Sequence, residues 1–325
     1  MTLAGIGILQ TIVYLLFVRG IDLYEREPLR YVIPVFVWGF TLAVAISIVF
    51  EMLFSITLST VASYAATDFL GTVVGAPVIE ECAKGLALLV IFGVAVAASR
   101  RKGANEFSGI MDGIVYGSAV GFGFSIAEDL VYFSSFGGET FVMRRVLGGF
   151  AHAAYTAVTG IGFGLIPWVR SPGLKILLPM LGLGLAILTH ATHNLVAYFL
   201  GAVAYGVELP VILVYIILII YWLSVERRTI RTELRDEVKS GAISPAEYAI
   251  LPTYFARTRY YLGLIFSGRL STWQRASYAH GKMVDLAFAK RLSRNTRATV
   301  GNENVQRLRH RIAELKGAAL AERAP

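Results

Sequence analysis

The chain has 325 residues, of which 56% are hydrophobic and only 16% charged. That balance excludes an ordinary soluble domain and describes a polytopic membrane protein. The formal net charge of +8 is no nucleic-acid signal, because Lys and Arg gather in short loops and after Val225, and the single cysteine, Cys82, excludes an internal disulfide.

In chain order, seven apolar stretches approach or exceed the length of a membrane span: 3–18, 31–53, 77–98, 110–133, 146–169, 174–200 and 203–224. Leu3–Phe17 has neither a basic flank nor a small-residue cleavage site, so it is expected to stay as the first helix. The segment 56–76, rich in Thr, Ser, Ala and Gly, reads equally as an outer loop, a re-entrant piece or an extension of the third span. Arg19, Arg26 and Arg30, then Arg100, Arg101 and Lys102, then Arg170 and Lys175, and finally Arg227, Arg228, Arg231 and Arg235 mark four cytoplasmic flanks. The expected topology is a multi-pass protein of the cell membrane with its N-terminus outside and its C-terminus in the cytoplasm. Arg144 and Arg145 stand on the wrong side of that scheme.

The fold expected is all-α: a transmembrane bundle over 1–224 with a motif-bearing core at about 75–200, followed by a small, basic helical tail over 225–325. In the tail, Ser244-Pro-Ala-Glu247 reads as a helix start, and 301–304 as a break before an amphipathic helix carrying Val305, Leu308, Ile312 and Leu315. His280 and His310 read as solvated. The basic surface suits anionic lipid headgroups and not nucleic acid.

Four polar pairs interrupt the apolar spans: Glu80-Glu81 with Lys84, Glu128-Asp129 after Phe124, His152 with Thr156, and His190 with Asn194. Ionisable groups in hydrocarbon are costly and usually mark a site. At ~1.5 Å rise per residue, Glu80, Glu128, His152 and His190 fall roughly 24–29 Å from the cytoplasmic edges of their helices. Four helices of alternating direction thus bring their polar groups to one layer, towards the outer leaflet. Glu80/Lys84, Phe124/Glu128, His152/Thr156 and His190/Asn194 are each i, i+4, so each helix turns two groups to one face. Gly117, Gly121, Gly123, Gly160, Gly162, Gly182 and Gly184 allow close helix approach. Taken singly, each pair also reads as a helix cap, an interfacial anchor or a packing residue, and His193 reads as structural.

A carboxylate beside an imidazole can deprotonate water and return the proton to a leaving amine. Asn194 or a histidine can donate to an oxyanion. Two His and a Glu, with His152, His190 and Glu128 as the candidates, can instead hold Zn2+ and leave a position for water. The residues permit both schemes. Ser118 and Ser125 lack any nucleophile signature, and Asp112 and Asp129 sit too far apart on one span for a dyad. Intramembrane Glu, Asp and His also build the proton and cation paths of transporters, which is the principal alternative, with a non-catalytic membrane scaffold as another.

Glu80-Glu81-Cys-Ala-Lys84 resembles the EExxK motif of the PrsW family of intramembrane proteases. Phe124-Ser-Ile-Ala-Glu128-Asp129 resembles its FxxxE motif, and His152 and His190-Ala-Thr-His-Asn194 its later histidine motifs. The family is similar to the CAAX prenyl proteases and bacteriocin-processing enzymes. The resemblance implies a protease with Glu80 or Glu81 as the base and His190 as its partner, with a metal in many members. It also implies a membrane-anchored protein substrate, of the anti-sigma-factor kind, cut at site 1 on the outer side. Glu128 stands where the wider relatives place a His, and Lys84 one residue before their Arg.

Overall fold

The computed structural model describes residues 3–24, 26–102, 107, 109–137, 139–296 and 299–321. Among the described residues there are helices and no strands. Hydrocarbon demands this of a spanning chain unless it closes into a barrel, since every backbone N–H and C=O must be satisfied internally. Among the described residues six helical stretches are long and apolar enough to cross a membrane: Ala4–Ile21, Leu29–Ser59, Tyr64–Ala98, Ile110–Ser135, Val142–Trp168 and Pro172–Lys239. The last is broken at Gly201, whose φ of +55° closes one helix before the next begins. It therefore holds both the sixth and the seventh apolar stretch.

The helices of this bundle are α1 (Leu3–Ile21), α2 (Leu29–Trp38), α3 (Val44–Ser59), α4 (Tyr64–Leu70), α5 (Ala76–Lys102), α6 (Ile110–Phe136), α7 (Ala151–Gly164), α8 (Pro172–Leu200) and α9 (Ala204–Glu233). A π-helical turn, Gly39–Ala43, joins α2 to α3, and another, Gly71–Gly75, joins α4 to α5. Of the readings open for 56–76, the extension of the third span holds from Tyr64 onward. Pro77 accounts for the second π turn. It has no N–H to give, and its ring crowds the carbonyl four residues back, so the helix widens just ahead of it. The side chains from Ser99 to Lys102, and with them the charges read at 100–102, fall outside the described residues.

Helix α6 is the axis of the bundle. Its most apolar stretch is wholly buried, and it packs most extensively against α7, then α2 and α1. Glycine sets the α6–α7 distance. A Cβ on Gly113 would lie 2.1 Å from Gly160 O, one on Gly117 2.6 Å from Thr156 O, and one on Gly121 2.3 Å from His152 O. The three glycines recur every fourth residue, so they form one ridge-free stripe on which α7 rests backbone to backbone. Gly162 and Gly182 make the corresponding close approaches between α7 and α8. Gly184, expected to do the same, faces open space.

A second compact unit comprises Leu23–Arg26 and Ile220–Pro325. Its further helices are α10 (Arg235–Lys239), α11 (Pro245–Ile250), α12 (Tyr254–Phe266), α13 (Leu270–Thr296) and α14 (Thr299–Ala321). Ile230, Leu234, Leu251, Met283, Leu286 and Ile312 are central to its core, which Val305 and Leu308 complete from α14. The capping box forms as expected: Ser244 Oγ accepts from Glu247 N at 3.2 Å, and Glu247 Oε2 accepts from Ser244 N at 2.8 Å. Residues 301–304 are helical and not a break, because α14 already starts at Thr299. Within this unit Tyr24 Oη donates to Pro252 O at 2.9 Å.

His280, expected in solvent, is 3% exposed, its Nδ1 2.9 Å from Tyr261 Oη. Burial pushes its pKa down to about 4, with Arg257 and Lys316 adding to the effect and Glu247 opposing it. An unfolded imidazole takes up a proton below about 6.5. Between those values the unfolded chain binds more protons, so stability rises with pH.

Two outcomes are expected. Gly121→Leu should separate α6 from α7 and cost at least ~1–3 kcal/mol, read as a lower unfolding temperature in detergent. Protection of α13 amides from hydrogen exchange, corrected for intrinsic rates, should fall as pH drops from about 6.5 towards 4, and His280→Phe should flatten that fall.

Candidate active site

Each polar pair arrives on its own helix. Glu80, Glu81 and Lys84 lie on the first turns of α5, Glu128 and Asp129 on the last third of α6, His152 and Thr156 at the start of α7, and His190, His193 and Asn194 on α8. The glycine stripe carries the register: with Gly121 seated on the His152 carbonyl, the imidazole of His152 falls beside the residues that follow on α6. Its Nε2 is 2.9 Å from Glu128 Oε2.

At the centre is Lys84, whose side chain is completely buried. Its Nζ donates to Glu80 Oε2 at 3.1 Å, to Glu81 Oε1 at 2.8 Å and to His152 Nδ1 at 3.1 Å. The Phe124 ring lies below it, 3.8 Å from Nζ to the ring centroid, so the aromatic residue of the second motif adds a cation–π contact to the ammonium of the first. An ammonium only donates. His152 Nδ1 must therefore accept, its proton sits on Nε2, and Nε2 donates to Glu128. Glu81 is held on every side: it accepts from Lys84, from Thr156 Oγ1 at 3.3 Å and pairs with His190 Nδ1 at 3.1 Å. The His190 ring stacks on Tyr155, 5.3 Å between centroids at 22°.

Of these groups Glu80, Phe124, Glu128, His152, Tyr155 and His190 line one side of a cavity of about 790 Å³, whose other walls include Glu51, Phe54, Asp68, Tyr132, Arg144 and Glu208. The two adjacent glutamates are not equivalent there. Glu80 lines the cavity with its side chain 10% exposed, whereas the side chain of Glu81 is fully buried.

Arg144 and Arg145 do not violate the charge pattern as loop residues, because both are folded into the bundle on a π-helical turn, Val142–Leu147. Arg144 pairs with Glu128 at 2.7 Å and with Asp129 at 2.5 Å, and Arg145 pairs with Asp129 at 2.7 Å. They neutralise the α6 carboxylates, an arrangement the loop reading missed. Ser125 joins this ion network and Ser118 bonds to Tyr215, so neither serine is placed as a nucleophile.

Asn194 has a definite backbone partner. In the π turn Ala76 N–H bonds to Gly71 O, and Pro77 has no N–H, which leaves Thr72 O without a helical donor. Asn194 Nδ2 supplies one at 2.9 Å. His193 Nδ1 lies 3.1 Å from Glu208 Oε1 on α9. Glu51 and Glu208 were not singled out in the sequence, although both are acids within apolar stretches and the cost of intramembrane charge marks them as it marks Glu80. Cys82 points away from the cluster and is exposed on the opposite face of α5.

One ligand atom each from Glu80, Glu81, His152 and His190 lies within 4.8 Å of all the others, and all four residues are buried. Two carboxylate oxygens and two imidazole nitrogens fit a divalent metal in kind. Three of the four residues are bonded to Lys84, whose positive charge lies among them. Glu128, the carboxylate expected to share a metal with the two histidines, lies outside this group, held between His152 and Arg144.

The model of the PrsW family of intramembrane metalloproteases matches residues 27–223, which contain every one of these side chains. The chain belongs to that family. It is 34% identical over 143 residues to a protein named Protease PrsW from Geobacillus kaustophilus (strain HTA426), a match covering 44% of this chain and 57% of that relative. The chain thus spans a little over half the length of the curated relative it matches. No solved structure matches it.

Asp129→Asn should leave Arg145 buried without its carboxylate. The expected loss is ~3–5 kcal/mol, seen as a lowered unfolding temperature in detergent.

Proposed function

We propose that this family member is an endopeptidase that cuts a peptide bond in or beside the transmembrane segment of a membrane-anchored protein, using water activated by its carboxylate–histidine set. The observation carrying this reading is the position of Glu80: of the two carboxylates on Lys84, it is the one that reaches the cavity.

Glu80 takes a proton from water as the water oxygen bonds to the scissile carbonyl carbon. The same carboxyl then returns the proton to the amide nitrogen as the C–N bond breaks. Lys84 favours the ionised form of Glu80 and holds it in place. Glu81 orients rather than reacts: it fixes Lys84, Thr156 and His190 at once, and by engaging His190 Nδ1 it leaves Nε2 as that ring's second polar atom. Lys84 sets the tautomer of His152, Glu128 accepts its Nε2 proton, and the second amide hydrogen of Asn194 is available to an oxyanion.

Glu80, Glu81, His152 and His190 match a metal in donor type; such an ion would take the His152 Nδ1 lone pair that Lys84 engages here, and when bound would supply Lewis acidity and a more acidic water. Zn2+ is the ion proposed. The cavity and the bundle suit an extended stretch of a membrane-anchored substrate, and the family supports one of the anti-sigma-factor kind, cut at site 1. The shared depth of the four pairs supports a cut towards the outer leaflet, with the N-terminus outside and the tail in the cytoplasm. The joining of Leu23–Arg26 to the tail unit is consistent with the first basic loop and the tail sharing a compartment.

Glu80→Gln, Glu81→Gln and His190→Ala should each reduce cleavage of co-expressed single-pass proteins by roughly 100-fold or more while the protein stays inserted. Retained cleavage in Glu80→Gln would remove the base from the scheme. Elemental analysis of the purified protein, wild type against His190→Ala, reads the metal independently of activity. Stoichiometric Zn2+ lost in the variant is expected, and a metal-free wild type that still cleaves would exclude it.

A further inference from the structure

The tail contains a helix face that its own core does not use. On α12, Phe255, Arg259, Leu262 and Phe266 follow the spacing i, i+4, i+7 and i+11, which places them on one stripe. The opposite side of α12 packs inward, with Leu264 buried. The stripe is open: Phe255 is 82% and Phe266 84% exposed, Leu262 44%, and Leu270, at the start of α13, 53%. Two phenylalanines left bare in water are unfavourable at ~25 cal/mol per Å² of apolar surface. Along this stretch of chain the charge has one sign. Between Glu247 and Asp285 there is no acidic residue, while Arg257, Arg259, Arg269, Arg275 and Lys282 fall in that interval. Arg259 and Arg269 are exposed at or beside the stripe.

We propose that α12 is an interfacial helix, which inserts Phe255, Leu262 and Phe266 into the bilayer crossed by the rest of the chain while Arg259 and Arg269 meet anionic headgroups. The bilayer is the occupant for three reasons. Aromatic and aliphatic side chains on a helix with a basic margin fit the acyl–headgroup boundary. The acid-free interval complements an anionic leaflet and would lose attraction at high salt. The chain enters the tail through α9, a helix of 30 residues that is apolar up to Val225, so the tail is tethered at the membrane and docks at less entropy cost than capture from solution.

The test uses the full-length protein with Cys82→Ser, which removes its single cysteine. An environment-sensitive fluorophore is attached at Leu262→Cys, or at Gln306→Cys on exposed α14 as a control. Each is placed in phosphatidylcholine nanodiscs with and without phosphatidylglycerol. The label at 262 should be quenched by nitroxide-bearing lipid and be severalfold less accessible to iodide when phosphatidylglycerol is present, whereas the label at 306 stays open to iodide. Adding Phe255→Ser and Phe266→Ser should return the label at 262 to the iodide accessibility of the control. Free access of iodide at 262 in anionic discs overturns the proposal. Shielding at 262 that appears in detergent and grows with protein concentration also overturns it, and assigns the stripe to a second copy of the chain. Each of these readouts is independent of proteolysis.

Discussion

One buried ammonium organises the polar layer of this bundle. Lys84 is fully buried away from bulk solvent, so it needs anionic and lone-pair partners from the surrounding helices. It takes Glu80 and Glu81 from its own helix, His152 from α7 and the face of Phe124 from α6. Those contacts fix protonation as well as position: a lysine that donates to Nδ1 leaves His152 one tautomer, and that tautomer selects a carboxylate acceptor in Glu128. Glu128 in turn needs a cation, supplied by Arg144, and Asp129 beside it takes both Arg144 and Arg145. The polar layer is thus a chain of alternating charge through α5, α7, α6 and the π turn after α6. Removing Asp129 would leave Arg145 as a lone charge in a low-dielectric interior.

Such a chain requires helices whose axes stand close, and glycine supplies that condition. Gly113, Gly117 and Gly121 on α6 meet the α7 backbone at Gly160, Thr156 and His152. Two of those three α7 positions carry residues of the candidate site. A bulky side chain on the stripe would do more than loosen packing, because it would move the imidazole of His152 relative to Glu128, whose separation is 2.9 Å. Packing and chemistry share residues here, so stability and alignment are expected to respond together to changes on the stripe.

Much of this was legible in the sequence. Period and length revealed the spans, and the i, i+4 pairs with their common depth pointed to one centre, since both depend only on helix geometry. The division of labour between Glu80 and Glu81 was not legible. Adjacent residues differ by 100° around a helix, and which of them faces a cavity depends on where the neighbouring helices stand. Arg144 and Arg145 were read as loop charges because a charge count does not distinguish a solvated arginine from one folded back onto buried carboxylates. His280 was assigned to solvent from the polarity of its neighbours in sequence, whereas the helices packed around it decide its burial. Glu51 and Glu208 carried the same signal as the recognised acids but had no partner at motif spacing.

The π turn before α5 shows how a single proline links these levels. Pro77 withholds a donor, the helix widens over Gly71–Gly75, and Thr72 O turns to the side-chain amide of Asn194 for its hydrogen bond. One turn further on, Asp68 accepts from Tyr198 Oη at 2.9 Å, and Phe69 packs edge-on against the Tyr198 ring at 5.4 Å. The start of the third span is thereby attached to the end of α8 by side chains and not by a continuous α-helical ladder. Both attachment points border the cavity through Asp68, Thr72 and Asn194. A carbonyl freed by proline is satisfied by a residue on the same face of α8 as His190, one turn away. The helix carrying Glu80 and the helix carrying His190 are therefore registered to one another by the defect itself. A regular α-helix through residues 71–77 would use Thr72 O internally and leave Asn194 without this partner.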